Sequence, residues 1–526
     1  MRLPAFKTNP EASFPRGPLT RFLRHPHPYH LTRFLILRLL GLVYFVAFFT
    51  AVLQLIPLIG ETGLTPVQLH LDQLVAHYGG TWNAFMEVPT LFLFGHSDAA
   101  LILWSWFGVV GSLVVCIGYA NGLLLLCLWF VYMSIINVGQ VWYGFGWEIQ
   151  LLETGFLAIF LCPFWDPKPF PKKPPPILVI WLYRWLIFRI MLGAGLIKIR
   201  GDACWRDFSC LAVHYETQPI PNPISWVLHQ APMWFHQAGV LFNHFVELIV
   251  PFFMLGPRRF RYLAGFLMLF FQVTLIVSGN LSFLNWLTII PILACFDDQL
   301  LARALPSPLK NRLEQLNAEP PIGTSQVIIP ICLTVLVSLL SIGPIQNLIS
   351  SSQAMNTSFD RLHLVNTYGA FGSINQERYE LVFSGTTDAN HHADTKWQEF
   401  GFKCKPDFIH ERPCVITPYH LRLDWLLWFA AMSTPQQHPW TIHLVYQLLH
   451  GDPEIHELLD QPPLGESNPQ WVKVDLYRYT FTKAGEAHWW SRQFVGAYIP
   501  PLRGDDPNLR AFIQANKWHV YEPSAN

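Results

Sequence analysis

The sequence predicts a polytopic α-helical membrane domain followed by a β-rich extramembrane domain. The first observation is composition: of 526 residues, 52% are hydrophobic and 13% are charged, whereas soluble domains average roughly 25% charged residues. The second is a series of apolar runs near the roughly 20 residues that a bilayer crossing needs. The third is a change near Ser352, after which charged residues return and long apolar runs end. The zero formal net charge and the lack of a basic tail predict no nucleic-acid partner.

About nine apolar segments are candidates for membrane-spanning helices. The first is longer than a signal-peptide core and has no small-residue cleavage site after it, so we expect it to be retained. Basic residues cluster before the first segment and after the fourth, sixth and eighth, which predicts a cytoplasmic N-terminus. The segments lie near 34–58, 99–119, 121–139, 149–165, 177–198, 237–255, 262–278, 281–296 and 326–347.

This topology divides the chain into a cytoplasmic segment over 1–33, a membrane domain over 34–349 and a non-cytoplasmic domain over 350–526. Within the last part, alternating residues at Glu380–Ser384 and Val472–Phe481 predict half-buried strands. Helical patterns interrupt them near 421–431 and 440–460. We therefore expect a β-sandwich with inserted helices.

Four of the nine cysteines fall outside the apolar segments, on the face that the topology makes oxidising. They form two close pairs in the chain, which is typical of disulfides in such a compartment. The candidates are Cys204 with Cys210, and Cys404 with Cys414.

A charged stretch, RGDACWRDFSCLAVHYETQPIPNP, separates the fifth and sixth segments. We predict that a polar loop over 199–236 re-enters the helix bundle, where irregular backbone must be buried in protein or line a wet cavity. Its charges are suited to a buried ion-pair network. A structural clamp is favoured over a binding or catalytic role. The charged residues are Arg200, Asp202, Arg206 and Asp207.

Ionisable residues inside apolar segments are candidate functional groups, because burying them in a membrane is costly. His244 and Glu247, beside Asn243, are three residues apart and so share one face of a helix. With His214 and Glu216 they have the chemistry of metal ligands. No HExxH or CxxC spacing accompanies them, so we predict a hydrogen-bonded polar core and no metal.

Two carboxylates, Glu148 and Glu153, begin the fourth segment. Glu153 lies in an apolar run and needs a partner; a structural ion pair is the favoured interpretation, although such a pair does not by itself stabilise the fold. Lys198 ends the fifth segment and is either a lysine that reaches the interface or a general base. The candidate partners of Glu153 are Arg184, Arg189, Lys198 and Arg200.

Four blocks of the chain resemble the lipase maturation factor family. They are WEIQLLETGFLAIFLCP at 147–163, KIRGDACWRDFSCLAVHYETQPIPNPISW at 198–226, MWFHQAGVLFNHFVELIVPFF at 233–253, and a tail with RPCVITPYHLRLDWLLWFAA at 412–431, HPW at 438–440 and WWSR at 489–492. Glu148 departs from the pattern, since members often carry Asp there. The resemblance implies a polytopic membrane protein, of the endoplasmic reticulum in animals. In a bacterium it implies an inner-membrane protein with a periplasmic C-terminal domain.

The resemblance further implies a chaperone-like factor that helps lipoprotein lipase and related homodimeric lipases to fold and assemble. The leading hypothesis is therefore a maturation factor and not an enzyme. Its partners are the lipid bilayer and exported client proteins such as lipases, and no cofactor is predicted. We expect exposed aromatic residues of the C-terminal domain to bind partly folded clients, with Trp425, Trp440 and Trp489 as candidates.

The alternative hypothesis is a membrane enzyme. The stretch Gly193–Lys198, followed by Trp205, bears a weaker resemblance to vitamin K-dependent γ-carboxylase and its bacterial relatives. That resemblance implies a base, Lys198, acting on a quinone or another lipid-soluble compound. The further catalytic candidates are then His214, Glu216, His244 and Glu153.

Overall fold

The computed structural model describes residues 29–307, 310, 325–392, 394–461, 464 and 467–521. Most of the predicted cytoplasmic segment, 1–28, lies outside the described residues. So do Arg312 and most of the loop before the last apolar segment.

Helices make up the described part of the chain as far as residue 349, here called the helix bundle. Their apolar composition favours helices because a helix satisfies its own backbone polar groups away from water. They are α1 His30–Ile59, α2 Val67–Tyr78, α3 Thr81–Glu87, α4 Asp98–Ile117, α5 Gly122–Val138, α6 Gly146–Ile159, α7 Ile177–Arg200, α8 Ala203–Arg206, α9 Leu211–Thr217, α10 Pro223–His229, α11 Met233–His244, α12 Val250–Phe253, α13 Arg258–Ser278, α14 Leu284–Ile292, α15 Asp298–Leu301, α16 Ser325–Leu340 and α17 Ile342–Ile349.

Five of the described helical stretches are long and apolar enough to cross a membrane: α1, α4, α7, α13 and Val327–Ile349. A sixth crossing results if Leu284–Cys295 and Asp298–Ala304, bent by 100° from each other, form one span. The chain is thus a membrane protein, but the predicted count of nine spans is not confirmed. Helices α5 and α6 have only 17 and 14 residues, fewer than the roughly 20 of a full crossing.

The C-terminal domain, residues 350–521, is built on antiparallel sheets. A four-stranded sheet has the order β2-β1-β5-β6, and β3 pairs with β4 in a separate two-stranded sheet. The central pair, β1 with β5, runs in register from Arg378 opposite Tyr479 to Thr386 opposite Trp471. The strands are β1 Arg378–Thr386, β2 Gln398–Glu399, β3 Gly401–Phe402, β4 Leu459–Gln461, β5 Trp471–Phe481 and β6 Trp490–Leu502.

Four helices complete the C-terminal domain: α18 Arg422–Ala431, α19 Trp440–His450, α20 Pro453–His456 and α21 Pro507–Ala515. The first three lie where the sequence predicts inserted helices, and β1 and β5 contain the two predicted strands. The expected β-sandwich is not confirmed, because the second sheet has only two short strands and α18 packs on β1. Among the described residues, one large hydrophobic core runs from α1 through the helix bundle to α21, and two smaller clusters lie beside it.

Candidate functional site

A buried ion pair joins the start of α6 to the C-terminal domain. The carboxylate of Glu148 is fully buried and lies 2.9 Å from Nη1 of Arg422, the first residue of α18. It also accepts hydrogen bonds from Nε1 of Trp147 (3.0 Å) and from the hydroxyl of Tyr132. Arg422 donates in addition to the carbonyl of Trp142 (2.6 Å). The helix bundle and the C-terminal domain, here called the two halves, therefore each contribute one charge to this buried pair.

The second carboxylate of α6 ties residues 350–377, the segment of the C-terminal domain that precedes β1 and is here called the linker, to the helix bundle. Glu153 forms an ion pair with Arg189 of α7, one of its four candidate partners. It also accepts hydrogen bonds from the backbone N–H of Asn366 (3.0 Å) and the hydroxyl of Tyr368 (2.7 Å). A Cβ at Gly193 would lie 2.4 Å from the Tyr368 carbonyl oxygen, so a glycine is needed where this linker crosses α7.

The charged loop 199–236 forms the three short helices α8, α9 and α10, and its first charges hold the same linker. Arg200 donates to the Leu348 carbonyl (2.8 Å) and to Oε1 of Gln353 (2.6 Å). Asp202 accepts a hydrogen bond from the backbone N–H of Ile374 (2.7 Å). These charges therefore order the linker backbone.

The next two charges organise the loop itself. Arg206 donates to the carbonyls of Ile199 (3.0 Å) and Gly201 (2.8 Å), and Asp207 accepts from the backbone N–H of Ser209 (3.0 Å). The predicted ion-pair network is wrong: within the described residues, none of the four loop charges forms an ion pair. Backbone carbonyls and N–H groups are closer partners, because an irregular loop leaves many of them without helical bonds.

Both predicted cysteine pairs are disulfides. Cys204 is bonded to Cys210 and closes the turn between α8 and α9, and Cys404 is bonded to Cys414. The carbonyl of Cys414 accepts a hydrogen bond from Nδ2 of Asn280 in the helix bundle (3.0 Å). Each disulfide therefore lies where a loop meets the other half of the molecule or the linker.

Lys198, Asn243 and Glu247 form a buried group that we call the polar cluster. Nζ of Lys198 lies 2.6 Å from Oε1 of Glu247 and 3.2 Å from Oδ1 of Asn243. The amide of Asn243 donates to Oε2 of Glu247 (2.9 Å). Nζ also lies 5.2 Å from the centroid of the Trp205 ring, within the range of a cation–π contact. Lys198 thus has a carboxylate partner inside the protein and does not extend to the interface.

His244 and Glu247 do not present one common face, in contrast to the prediction. Phe245–Ile249 forms a π-helical turn, because Pro251 has no N–H to donate to the Glu247 carbonyl. Asn243 therefore meets Glu247, while Nε2 of His244 lies 2.9 Å from a backbone carbonyl of the charged loop.

Glu216 and His214 also separate. Glu216 accepts a hydrogen bond from the backbone N–H of Phe481 (2.7 Å), and its carboxylate lies 3.7 Å from Nε2 of His229. His214 packs against Phe371, with ring centroids 4.8 Å apart. Across the residues that the structure describes, no three His, Cys, Asp or Glu side chains are grouped to hold a metal ion.

A cavity of about 650 Å³ lies between the helix bundle and the C-terminal domain. Its walls come from α6, α7, α8, α9, α11, α13, α14, α18 and the linker, mainly over 368–373. The polar cluster and His214 line one part of it. A second polar part is uncharged: Gln150 donates to Thr288 (3.0 Å), and Asn285 donates to Gln272 (2.8 Å). Aromatic and aliphatic side chains make up most of the remaining wall.

The three tryptophans predicted to be exposed are not exposed. Trp425 and Trp440 are 4% and 2% accessible, and Trp489 is half-buried against Trp226, with ring centroids 5.1 Å apart. Trp425 lines the cavity and packs on Trp147 (5.1 Å). The prediction fails because α18 and α19 are covered by the helix bundle as well as by the sheet.

The whole architecture matches one family in two consecutive parts. Residues 31–303 match the family model described as Lipase maturation factor transmembrane domain, and residues 364–500 match that described as Lipase maturation factor C-terminal domain. The chain belongs to the lipase maturation factor family.

Named relatives cover nearly the whole chain. It is 47% identical over 519 residues to Lipase maturation factor 1 of Bos taurus, covering 94% of this chain and 92% of the relative. Identity to Lipase maturation factor 1 of Homo sapiens is 48%, with 95% and 92% covered. Lipase maturation factor 2 of Gallus gallus is 28% identical, with 90% and 82% covered. No solved structure matches the chain.

The four blocks that resemble the lipase maturation factor family meet around the cavity and its ion pairs. Two arginines in or near these contacts were not singled out from the sequence: Arg422, and Arg378, which donates to the loop carbonyls of Glu216 (2.9 Å) and Pro219 (2.9 Å). The arginine inside the apolar run HLRLDWLLWF could have been singled out from the sequence, because a buried guanidinium needs hydrogen-bond acceptors.

Proposed function

We propose that this chain is a membrane-bound, chaperone-like maturation factor for lipases, located in the endoplasmic reticulum membrane. The observation that carries the proposal is the 47% identity to Lipase maturation factor 1 of Bos taurus, which extends over 94% of this chain. Nothing in the comparisons favours the carboxylase-like alternative. On this proposal the protein needs no resident cofactor, and Lys198 serves as the partner of Glu247 rather than as a general base.

The client-binding surface we propose is strand β6, in place of the buried tryptophans. This strand is at the edge of the four-stranded sheet, since it follows β5 in the order β2-β1-β5-β6. Phe494 and Val495 on it are 56% and 51% accessible. An edge strand with exposed apolar side chains offers main-chain hydrogen bonds and apolar contacts to an extended peptide. Partly folded proteins expose apolar surface and unpaired strand edges of the kind that such a strand can bind.

The helix bundle would hold this strand at a fixed position near the membrane. The buried pair Glu148–Arg422 and the hydrogen bonds of Glu153 to the linker connect the two halves. A client newly released into the lumen would therefore meet β6 close to the membrane surface. This role requires no bond-making chemistry in the factor itself.

The proposal is tested by lipase secretion from cells that lack their own maturation factor. We expect this chain, and not an empty vector, to raise the specific activity of a co-expressed secreted lipase. A secreted protein unrelated to lipases is the control and is expected to stay unchanged. Equal lipase activity with and without the chain, at equal lipase expression, would contradict the proposal.

A further inference from the structure

A lateral opening joins the cavity to the outer surface of the helix bundle. Ala238 on α11 and Thr274 and Phe270 on α13 line the cavity and are also exposed at the surface, Phe270 at 62%. Phe242 of α11 borders the opening, with its ring centroid 5.8 Å from that of Phe270. The cavity can therefore be entered between α11 and α13.

The opening faces acyl chains rather than water. Helix α13 is one of the candidate membrane spans. Its outward side chains beside the opening are apolar and exposed, among them Phe266, Val273 and Val277. Soluble surfaces rarely expose such a continuous apolar stripe. A ligand that enters here comes from the bilayer.

The volume of the cavity limits the size of the ligand. One water in the liquid occupies roughly 30 Å³, and a methylene group is of similar size. A cavity of about 650 Å³ therefore holds roughly 20 such groups. That is enough for one acyl chain with a compact head.

The polar end of the cavity is suited to an uncharged head. Lys198 and Glu247 neutralise each other at 2.6 Å. Burial, together with the nearby charge of Lys198, lowers the pKa of His214 to about 4, so the ring is neutral at physiological pH. An ammonium has three donors, and Lys198 uses two of them on Asn243 and Glu247. One donor and the free lone pairs of the carboxylate remain for a ligand.

We propose that the cavity binds a neutral single-chain lipid of the monoacylglycerol class, which enters from the bilayer between α11 and α13. Its hydroxyl and ester groups bond to Lys198, Glu247 and Asn243, and its chain lies along the apolar wall that includes Met191 and Phe271. A phosphate or free carboxylate head fits poorly, because it would meet the Glu247 carboxylate. This inference does not depend on the proposed lipase role.

The test uses the full chain in phosphatidylcholine nanodiscs and a monoacylglycerol probe with a photoreactive group in its chain. We expect saturable labelling on α7, α11 and α13 that unlabelled monoacylglycerol competes away. Lysophosphatidylcholine and a fatty acid, with the same chain but charged heads, are expected to compete at least about tenfold less well. Equal competition by either one, or labels confined to outward side chains, would overturn the proposal.

Two variants block the opening from its opposite sides, A238W on α11 and T274W on α13. Each is expected to reduce labelling about tenfold. The matched control is L241W, because Leu241 is 60% exposed on the same helix as Ala238 and does not line the cavity. All variants replace exposed side chains, and unchanged thermal unfolding checks that they fold. Undiminished labelling in both folded blocking variants would refute entry between these helices.

Discussion

Glu148 and Arg422 illustrate what a single buried charge pair does in this molecule. Removing both charges from water is costly, so the pair need not be more stabilising than two apolar residues would be. Losing one partner is different, because the other charge then stays buried without compensation. The remaining contacts of Arg422, to the Trp142 carbonyl and the Tyr143 ring, carry no negative charge.

We predict that Glu148→Gln lowers the free energy of unfolding by about 3–5 kcal/mol. The matched control is Arg361→Gln, which breaks the exposed pair Arg361–Glu87 (3.0 Å; side chains 59% and 37% accessible). That control should cost less than about 1 kcal/mol. Thermal unfolding in detergent measures both changes. A loss for Glu148→Gln no larger than that of the control would show that the buried pair does not hold the two halves together.

Asp424 of the C-terminal domain gives a prediction about pH. Its carboxylate accepts hydrogen bonds from the backbone N–H groups of Cys404 (2.7 Å) and Lys405 (2.9 Å), yet burial raises its pKa to about 6. In the unfolded chain the pKa is near 3.9. The folded state therefore binds more protons between these values, and this group destabilises the fold increasingly as the pH rises from 4 to above 6.

Asp424→Asn keeps an oxygen acceptor for both N–H groups and removes the charge. We expect the stability of the variant relative to the wild type to increase by about 1 kcal/mol from pH 5 to pH 7.5. Thermal unfolding of both proteins at the two pH values measures this, and other titrating groups cancel in the difference. A difference that does not change with pH would refute the raised pKa.

At the scale of single residues, the sequence showed that a buried charge requires a partner better than it showed which residue that partner is. An apolar run around Glu153 required a cation, and Arg189 was among four candidates. Arg422 lies 274 residues from Glu148 in the chain, and no local pattern connects them. The π-helical turn at Phe245–Ile249 redirected His244, so a helical spacing of three no longer implied a common face.

At the scale of secondary-structure elements, strand β6 combines two properties that proteins rarely leave exposed together. It is an edge strand, and its side chains Phe494 and Val495 are apolar and exposed. Edge strands usually avoid aggregation through charges, prolines or cover. β6 has Arg492 near its start and Pro500 and Pro501 near its end, but neither a charge nor a proline from Phe494 to Ile499. Exposure here is consistent with a surface kept for binding extended chains.

We predict that F494D/V495K reduces capture of a partly folded lipase by about tenfold or more. The charges disfavour apolar contact without touching the core, so the variant should fold. V415D is the control, because Val415 is also exposed (64%) in the C-terminal domain but lies outside β6. Co-precipitation of lipase with each variant provides the measurement. Similar losses in both variants, or in neither, would exclude β6 as the client site.

Helices and strands were predicted correctly where a single local sequence pattern determines them. Alternation located β1 and β5, and apolar length located α1, α4, α7 and α13. The number of spans could not be predicted, because short apolar helices such as α5 and α6 are stabilised by packing rather than by their length. Exposure of Trp425 was misjudged for a related reason: a sequence shows that a helix is amphipathic, not how many neighbours cover it.

On the scale of the whole molecule, the helix bundle and the C-terminal domain form one body with a continuous core. The cavity exists only because eight helices and the linker meet there, with lining residues from Gly144 to Phe429. Such a site has no signature in any one segment. The family blocks nevertheless indicated its components, since each of the four contributes to the cavity or to the ion pairs beside it.

The most direct test of the proposed function is a refolding assay with purified components. Denatured lipase is diluted into buffer containing this protein in nanodiscs, empty nanodiscs or the F494D/V495K variant, and recovered lipase activity is followed over time. We predict a higher yield of active lipase with the wild-type protein than with either of the other two. An equal yield in all three would contradict the proposed function.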